Sequence, residues 1–336
     1  MIDNIPPWLW IVFTLLAAGS QVARNAMQRG LTSELGTTGA THVRFLYGLP
    51  FAVVFLLLTW SVTDAPPVQY HWTFFSWLLL GALSQIVATA WMLSAMQSKS
   101  FVVTTAAIKT EPVQVAVFGA VMLSERIGSV GVVAVVIATA GVVMMSWPRG
   151  KSAQSENTQN NSSQDSHSRG SPMSSKDNAM GWWPILVGVA AGGMFALSAV
   201  GFRGAILSLT GDTAITGDAA IEVPFYVRAT TTLACGLLLQ TIVLSAYLAL
   251  REPQVLRAIF RAWRPAMLAG LAGAVASQFW FLAFSIETVS KVRTLALVEV
   301  LFAQIISRKI FAQKSSALEG VGIALIVIGV IALLNS

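Results

Sequence analysis

Ten stretches of this chain are each long and apolar enough to cross a bilayer, and that pattern removes most folds from consideration. A helix needs ~20 apolar residues to span a ~30 Å hydrocarbon core. The stretches fall at roughly 8–28, 36–60, 72–96, 99–123, 127–147, 182–208, 222–250, 265–287, 290–311 and 316–335. Only 11% of the 336 residues are charged and 55% are hydrophobic, whereas a soluble domain is ~25% charged. A soluble protein so poor in polar residues has too little polar surface to cover itself. The expected class is all-α: a polytopic protein of the cell (inner) membrane with about ten transmembrane helices.

Residues 149–180 (RGKSAQSENTQNNSSQDSHSRGSPMSSKDNAM) have a different composition. Ser, Asn, Gln and charged residues dominate, with almost nothing to bury, which predicts a disordered linker. It divides the chain into 1–148 and 181–336, and the two parts look alike. A shift of 188 positions sets Leu80 on Leu268, Val87 on Val275, Glu111 on Glu299 and Gly141 on Gly329, with Arg126 on Lys314. Nearer the N-termini a shift of 184 sets Val43-Arg44 on Val227-Arg228. Each part holds five spans. A repeat of an odd-numbered unit enters the membrane from the opposite side, which predicts an inverted repeat with a substrate site near the midplane.

Lys and Arg accumulate in cytoplasmic loops. The odd-numbered loops carry Arg29, Lys99, Arg149, Lys151, Arg169, Lys176, Arg251, Arg257, Arg261, Arg264, Arg308, Lys309 and Lys314; the even-numbered side carries Arg126, Lys291 and Arg293. This asymmetry predicts a cytoplasmic 149–180 linker and both termini outside. The N-terminal MIDNIPPW has no Lys or Arg before the first apolar run, so the first helix is expected to remain in the protein. The net charge of +6 is spread through loops and forms no nucleic-acid footprint.

Seven charges remain within or at the edge of apolar spans: Arg24, Arg44, Lys109, Arg203, Arg228, Glu111 and Glu299. A charge at the bilayer centre costs ~2.5–3.5 kcal/mol on insertion scales, so it faces a cavity or a partner. From the flanking helix ends, Glu111 lies ~18 Å deep and Glu299 ~14 Å at 1.5 Å per residue. Two readings fit. In the first, two repeat-related carboxylates and two repeat-related guanidiniums line a cavity. Arg44 or Arg228 offers a fork for a substrate carboxylate, and a buried carboxyl group takes up a proton during transport. In the second, Arg44 joins the Lys109–Glu111 segment and Arg228 joins Glu299 as interhelical glue. Lys109 is two residues from Glu111 and so faces another side of its helix. Pro112 follows Glu111 in mid-span, where it either bends the helix as a hinge or serves packing.

Gln85, Trp91, Met92, Gln278, Trp280 and Phe281, on the third and eighth helices, either line an amphiphilic pocket or fill the core. Trp8, Trp10, Trp60, Trp72, Trp147, Trp182 and Trp183 sit at span ends, as interface anchors do. Small residues in the sixth helix (Gly188, Ala191, Gly192, Gly193) and the tenth (Gly320, Gly322, Gly329) permit close helix approach. No catalytic or ATP-binding motif is present: no His-Glu-x-x-His, no Gly-x-Ser-x-Gly and no Gly-x-x-x-x-Gly-Lys-Ser/Thr. Cys235 stands alone, so no disulfide forms within one chain. No enzyme activity, metal or cofactor is expected.

The stretch Thr105–Pro148 resembles the end of an EamA-type repeat of the drug/metabolite transporter superfamily. The resemblance rests on Pro112 in mid-helix, on Leu123-Ser124-Glu125-Arg126 in a short loop, and on a last helix ending at Gly141-Val142-Val143. Arg44 is similar to the arginine often found early in the second helix of such repeats. The segment 265–334 resembles the repeat more loosely, with Val300 in place of the proline and Gln313 in place of the loop glutamate. The resemblance implies ten helices, a central cavity, and export or exchange of small metabolites such as amino acids. It also implies cytoplasmic termini, against the charge count. The reading adopted is a secondary transporter working by alternating access. Its partners are a small-molecule substrate, the lipid bilayer and, through the buried carboxylates, protons; a homo-oligomer is compatible with the sequence. Two rivals are a membrane sensor or scaffold using the linker as output, and a lipid-modifying enzyme, which lacks a clustered nucleophile, acid or metal set.

Overall fold

The computed structural model describes residues 5–63, 68–97, 107–146, 183–211, 223–301 and 317–336. The predicted linker 149–180 lies outside the described residues. The helices are α1 (Leu9–Leu46), α2 (Leu49–Val62), α3 (Trp72–Gln97), α4 (Glu111–Met122), α5 (Ser129–Ser146), α6 (Trp183–Ser208), α7 (Phe225–Arg251), α8 (Pro253–Arg261), α9 (Trp263–Ile286), α10 (Val289–Leu295) and α11 (Ala317–Leu334). The β structure described is a two-residue antiparallel pairing of β1 (Val68–Gln69) with β2 (Thr210–Gly211) between loops. Five helical segments are long and apolar enough to cross a membrane, and three more, Glu111–Met122, Ser129–Met144 and Gly320–Leu334, are apolar but shorter. The protein is all-α and membrane-embedded.

The side chains are arranged for lipid. Large apolar groups point outward, among them Val121 (77% exposed) and Leu250 (83% exposed), together with Leu57, Leu58, Val133 and Leu268. Small or polar residues point inward, including Ala17, Ala82, Ala138, Thr139, Ser198, Thr231, Gln240 and Ser277. Lipid solvates an outward leucine as well as a core does, so the interior is selected by close approach and hydrogen bonding.

The first two predicted spans are not separated by a loop. Helical structure continues through residues 29–35, whose Leu31 and Leu35 are buried, and breaks at Gly36 alone. Gly36 has φ 68° and ψ 177°, a conformation in the positive-φ region that glycine enters without a Cβ penalty. The second span is interrupted again by a turn at Tyr47-Gly48 before α2. One predicted anchor is also corrected: Trp10 is 6% exposed and joins the core, while Trp8, Trp60 and Trp72 face outward as expected.

Helices from before the linker pack on helices from after it. The most extensive pairings are α1 with α9, α3 with α6 and α5 with α11; α2 packs on α7 and α4 on α10. Glycines set the spacing. A Cβ on Gly270 of α9 would lie 2.5 Å from the Tyr47 carbonyl carbon, and one on Gly201 of α6 would lie 2.6 Å from the Gly81 nitrogen. On α5, a Cβ at Gly141 would meet the Gly322 carbonyl oxygen at 2.7 Å; on α11, a Cβ at Gly329 would meet the Ala138 Cβ at 2.7 Å. Gly141 and Gly329, matched by the 188-residue register, thus occupy reciprocal places at one crossing.

The short helix α8 is amphipathic. Its Ile259 is fully buried against Leu35, Val43 and Tyr47, while Phe260 is exposed. The Tyr47 hydroxyl donates to the Ile259 carbonyl at 3.2 Å, which ties α8 to the second span.

Candidate functional site

Two helix breaks build the site. Before α4, residues Lys109-Thr110 form a turn, and Thr110 N donates to Ala107 O at 3.1 Å. After α10, Ala296-Leu297 form a turn, and Leu297 N donates to Thr294 O at 3.1 Å; helical structure then resumes at Val298. At both places the α-helical ladder gives way to shorter i→i−3 bonds, as 3₁₀ turns do. Glu111 and Glu299 sit just after these breaks. Pro112 accordingly lies in the first turn of α4, where its missing N–H is not needed, and not in an unbroken helix. The break at Ala296-Leu297 forms without any proline, so the turn at Lys109-Thr110 need not depend on Pro112.

The breaks bring opposite charges together across the two parts of the chain. Lys109 Nζ pairs with Glu299 Oε1. Arg293 Nε lies 3.2 Å from Glu111 Oε1; the two atoms make an ion pair without hydrogen-bond alignment, since each lacks a hydrogen-bond partner. Gln21 on α1 donates to Glu299 Oε2 at 2.8 Å and accepts from Trp280 Nε1 at 3.1 Å. The Arg293 guanidinium stacks over the Trp280 ring at 4.6 Å from its centroid, a cation–π contact.

These groups surround a cavity of about 110 Å3. Its wall includes Gln21, Arg24, Asn25 and Arg44 of α1, Gln85 and Met92 of α3, Lys109, Glu111 and Pro112, Phe195 of α6, Trp280 of α9, and Arg293, Ala296, Leu297 and Glu299. Gln85 is held by Gln240, which donates to it at 2.8 Å. Arg44 donates to Thr89 Oγ1 at 3.3 Å, and Arg24 donates twice to Asn25 Oδ1, at 3.2 and 2.8 Å.

Of the predicted residues, Glu111, Glu299, Lys109, Arg44, Gln85, Trp280 and Pro112 converge on the cavity. Trp91, Gln278 and Arg228 are not among the described lining residues. Trp91 is 41% exposed on the outer face of α3, where lipid solvates its ring. Gln278 faces α7 and donates to Thr230 Oγ1 at 2.8 Å. The pairings also differ from those expected of interhelical glue: Glu299 takes Lys109 and Glu111 takes Arg293.

Of the charged and amide side chains on the wall, Gln21, Arg24, Asn25 and Arg293 fall outside the proposed site set, although Arg24 is singled out in the sequence as an intramembrane charge that faces a cavity or a partner. The first three share a readable signal. With Gln28 they stand at i, i+3, i+4 and i+7, one face of a helix, and a polar stripe inside an apolar span faces a cavity or a partner. Arg293 counts with the loop charges in the sequence, yet it lies inside the ninth span, within α10 (Val289–Leu295).

Arg203 and Glu125 form a separate buried ion pair. Arg203 Nη1 also donates to the carbonyls of Phe284 and, at 2.6 Å, Glu287 at the end of α9. Glu125 Oε2 accepts from the Val289 N–H at the start of α10 at 3.2 Å. The pair therefore locks the α4–α5 loop to α6, α9 and α10.

The fold and the cavity define a helical membrane protein with a charged cavity between its helices. Residues 8–147 match the EamA-like transporter family, which establishes over that range the likeness to EamA-type transporters of the drug/metabolite transporter superfamily. Among solved structures 26 chains are similar. One crystal structure superposes with a TM-score of 0.63 at 16% sequence identity, covering 97% of this chain and 96% of its own; at that identity the likeness is one of fold. No curated protein matches the chain.

Proposed function

We propose that the chain is a secondary transporter of small metabolites, an exporter or exchanger working by alternating access. It comprises ten transmembrane helices in two inverted repeats, 1–148 and 181–336, joined by the cytoplasmic linker 149–180, with both termini outside. The observation that carries this reading is the pair of contacts, Lys109–Glu299 and Arg293–Glu111, at helix breaks that lie within one residue of each other in the 188-residue register. Discontinuous helices meeting at a midplane site are the usual construction in inverted-repeat transporters. The helix pairing supports the repeat as well. An exchange of the two parts turns α1 on α9 into α6 on α3, and leaves α2 on α7, α4 on α10 and α5 on α11 unchanged. Amino acids are the substrates that the family resemblance implies.

The buried carboxylates give the transporter a route to proton coupling. Purified protein in proteoliposomes should exchange labelled metabolite against an internal pool, and an imposed pH gradient should change the initial rate. In Glu111→Gln the response to the gradient should disappear. Counterflow indifferent to the gradient in both proteins would end the coupling proposal, and absence of counterflow across a broad metabolite panel would end the transport reading.

A further inference from the structure

The described wall of the cavity is not electrically balanced. Among the described residues its wall carries four cations, Arg24, Arg44, Lys109 and Arg293, and two carboxylates, Glu111 and Glu299. Lys109 and Arg293 are each matched by a carboxylate. Arg24 and Arg44 are not: the partners they reach are the neutral Asn25 and Thr89. Both are deeply buried, at 2% and 3% exposure, and Arg24 Nη1 and Arg44 Nε have no hydrogen-bond partner. Their stems run side by side over Gly273, where a Cβ would lie 3.4 Å from Arg24 Cδ and 3.4 Å from Arg44 Cγ.

Two adjacent guanidiniums with no counter-charge among the described residues are costly in a membrane interior. A solute that supplies the missing charge recovers that cost on binding. A guanidinium presents a planar fork that fits carboxylate and phosphate oxygens. We infer that the cavity is built for a compact dianion, a solute with two oxyanion charges such as a short dicarboxylate or a phosphate. As a statement about cargo, this rests on the transporter reading above. A zwitterionic amino acid leaves the excess of two positive charges in place, and a cation enlarges it. Trp280, Phe195 and Met92 supply an apolar side for a short carbon chain.

The test is binding to the full chain in detergent at constant ionic strength, by thermal unfolding and calorimetry. Succinate, inorganic phosphate, leucine and putrescine serve as probes. Succinate, phosphate or both should raise the unfolding temperature by several degrees, since a ligand that binds only the folded state stabilises it; leucine and putrescine should not. Which dianion binds identifies the oxyanion source. Arg24→Met and Arg44→Met should each weaken binding at least ~10-fold, and Arg44→Lys should recover only part of the loss because it restores charge without the fork. Stabilisation by leucine or putrescine with none by either dianion overturns the inference, as does binding unaffected by either arginine variant. If both variants fail to fold, the wild-type panel decides alone. Counterflow separates the two proposals: a dianion that binds without being exchanged removes transport and keeps the anion site, whereas leucine exchanged with no dianion bound does the reverse.

Discussion

Glu125→Gln should lower the apparent unfolding temperature of the detergent-solubilised protein by on the order of 10 °C. The neutral amide leaves Arg203 buried without its counter-charge and weakens the acceptor that receives the Val289 N–H. Removing one partner of a buried pair costs ~3–5 kcal/mol, and one kcal/mol moves the midpoint of a large domain by ~2–4 °C. Arg203→Met should do similar damage from the other side and also free the carbonyls of Phe284 and Glu287. The double variant should recover part of the loss, because a neutral pair carries no uncompensated charge. Either single variant melting within about 2 °C of wild type would show that the pair does not anchor the α4–α5 loop. Neither residue lines the cavity described above, so ligand affinity should change far less than stability.

The second large effect belongs to the site. Lys109→Met and Glu299→Gln should each reduce counterflow at least ~10-fold, equivalent to ~1.4 kcal/mol. Each leaves a charge without its partner at the point where the two parts of the chain meet. The double variant separates transport from glue, as a double-mutant cycle isolates the coupling between two groups. Its thermal stability should return towards wild type, because no unpaired charge remains. Its counterflow should stay low, because both groups are needed around the solute. Restored counterflow in the double variant would make the pair a structural tie and remove both residues from the site.

Much of the scaffold was readable because lipid makes demands that sequence displays directly. Apolar length marked the helices, and the expense of intramembrane charge singled out Lys109, Glu111 and Glu299 before any geometry was known. Gly141 and Gly329, matched by the 188-residue register, both lie at the α5–α11 crossing. What was not readable was decided by three-dimensional approach. Whether Trp91 or Trp280 turned inward depended on the rotation of α3 and α9, which weak amphipathicity leaves undefined in lipid. The pairing of Glu299 with Lys109, and not with Arg228, depended on two helix breaks, one of which has no proline to announce it. Arg293 counted as a loop charge because it lies only a few residues inside the predicted start of the ninth span. Gln21 and Asn25 could have been found from the helix face they share with Arg24.

Alternating access requires that the cavity between the two helix breaks open to each side of the membrane in turn. Cys235 is the chain's single cysteine, so Cys235→Ser provides a background for a single reporter thiol. In that background Met92→Cys places the thiol on the cavity wall. In right-side-out and inside-out vesicles, a membrane-impermeant maleimide should label the thiol from both sides, and a solute that supports counterflow should slow labelling on both. Labelling from one side alone, unaffected by any such solute, would contradict alternating access around this cavity.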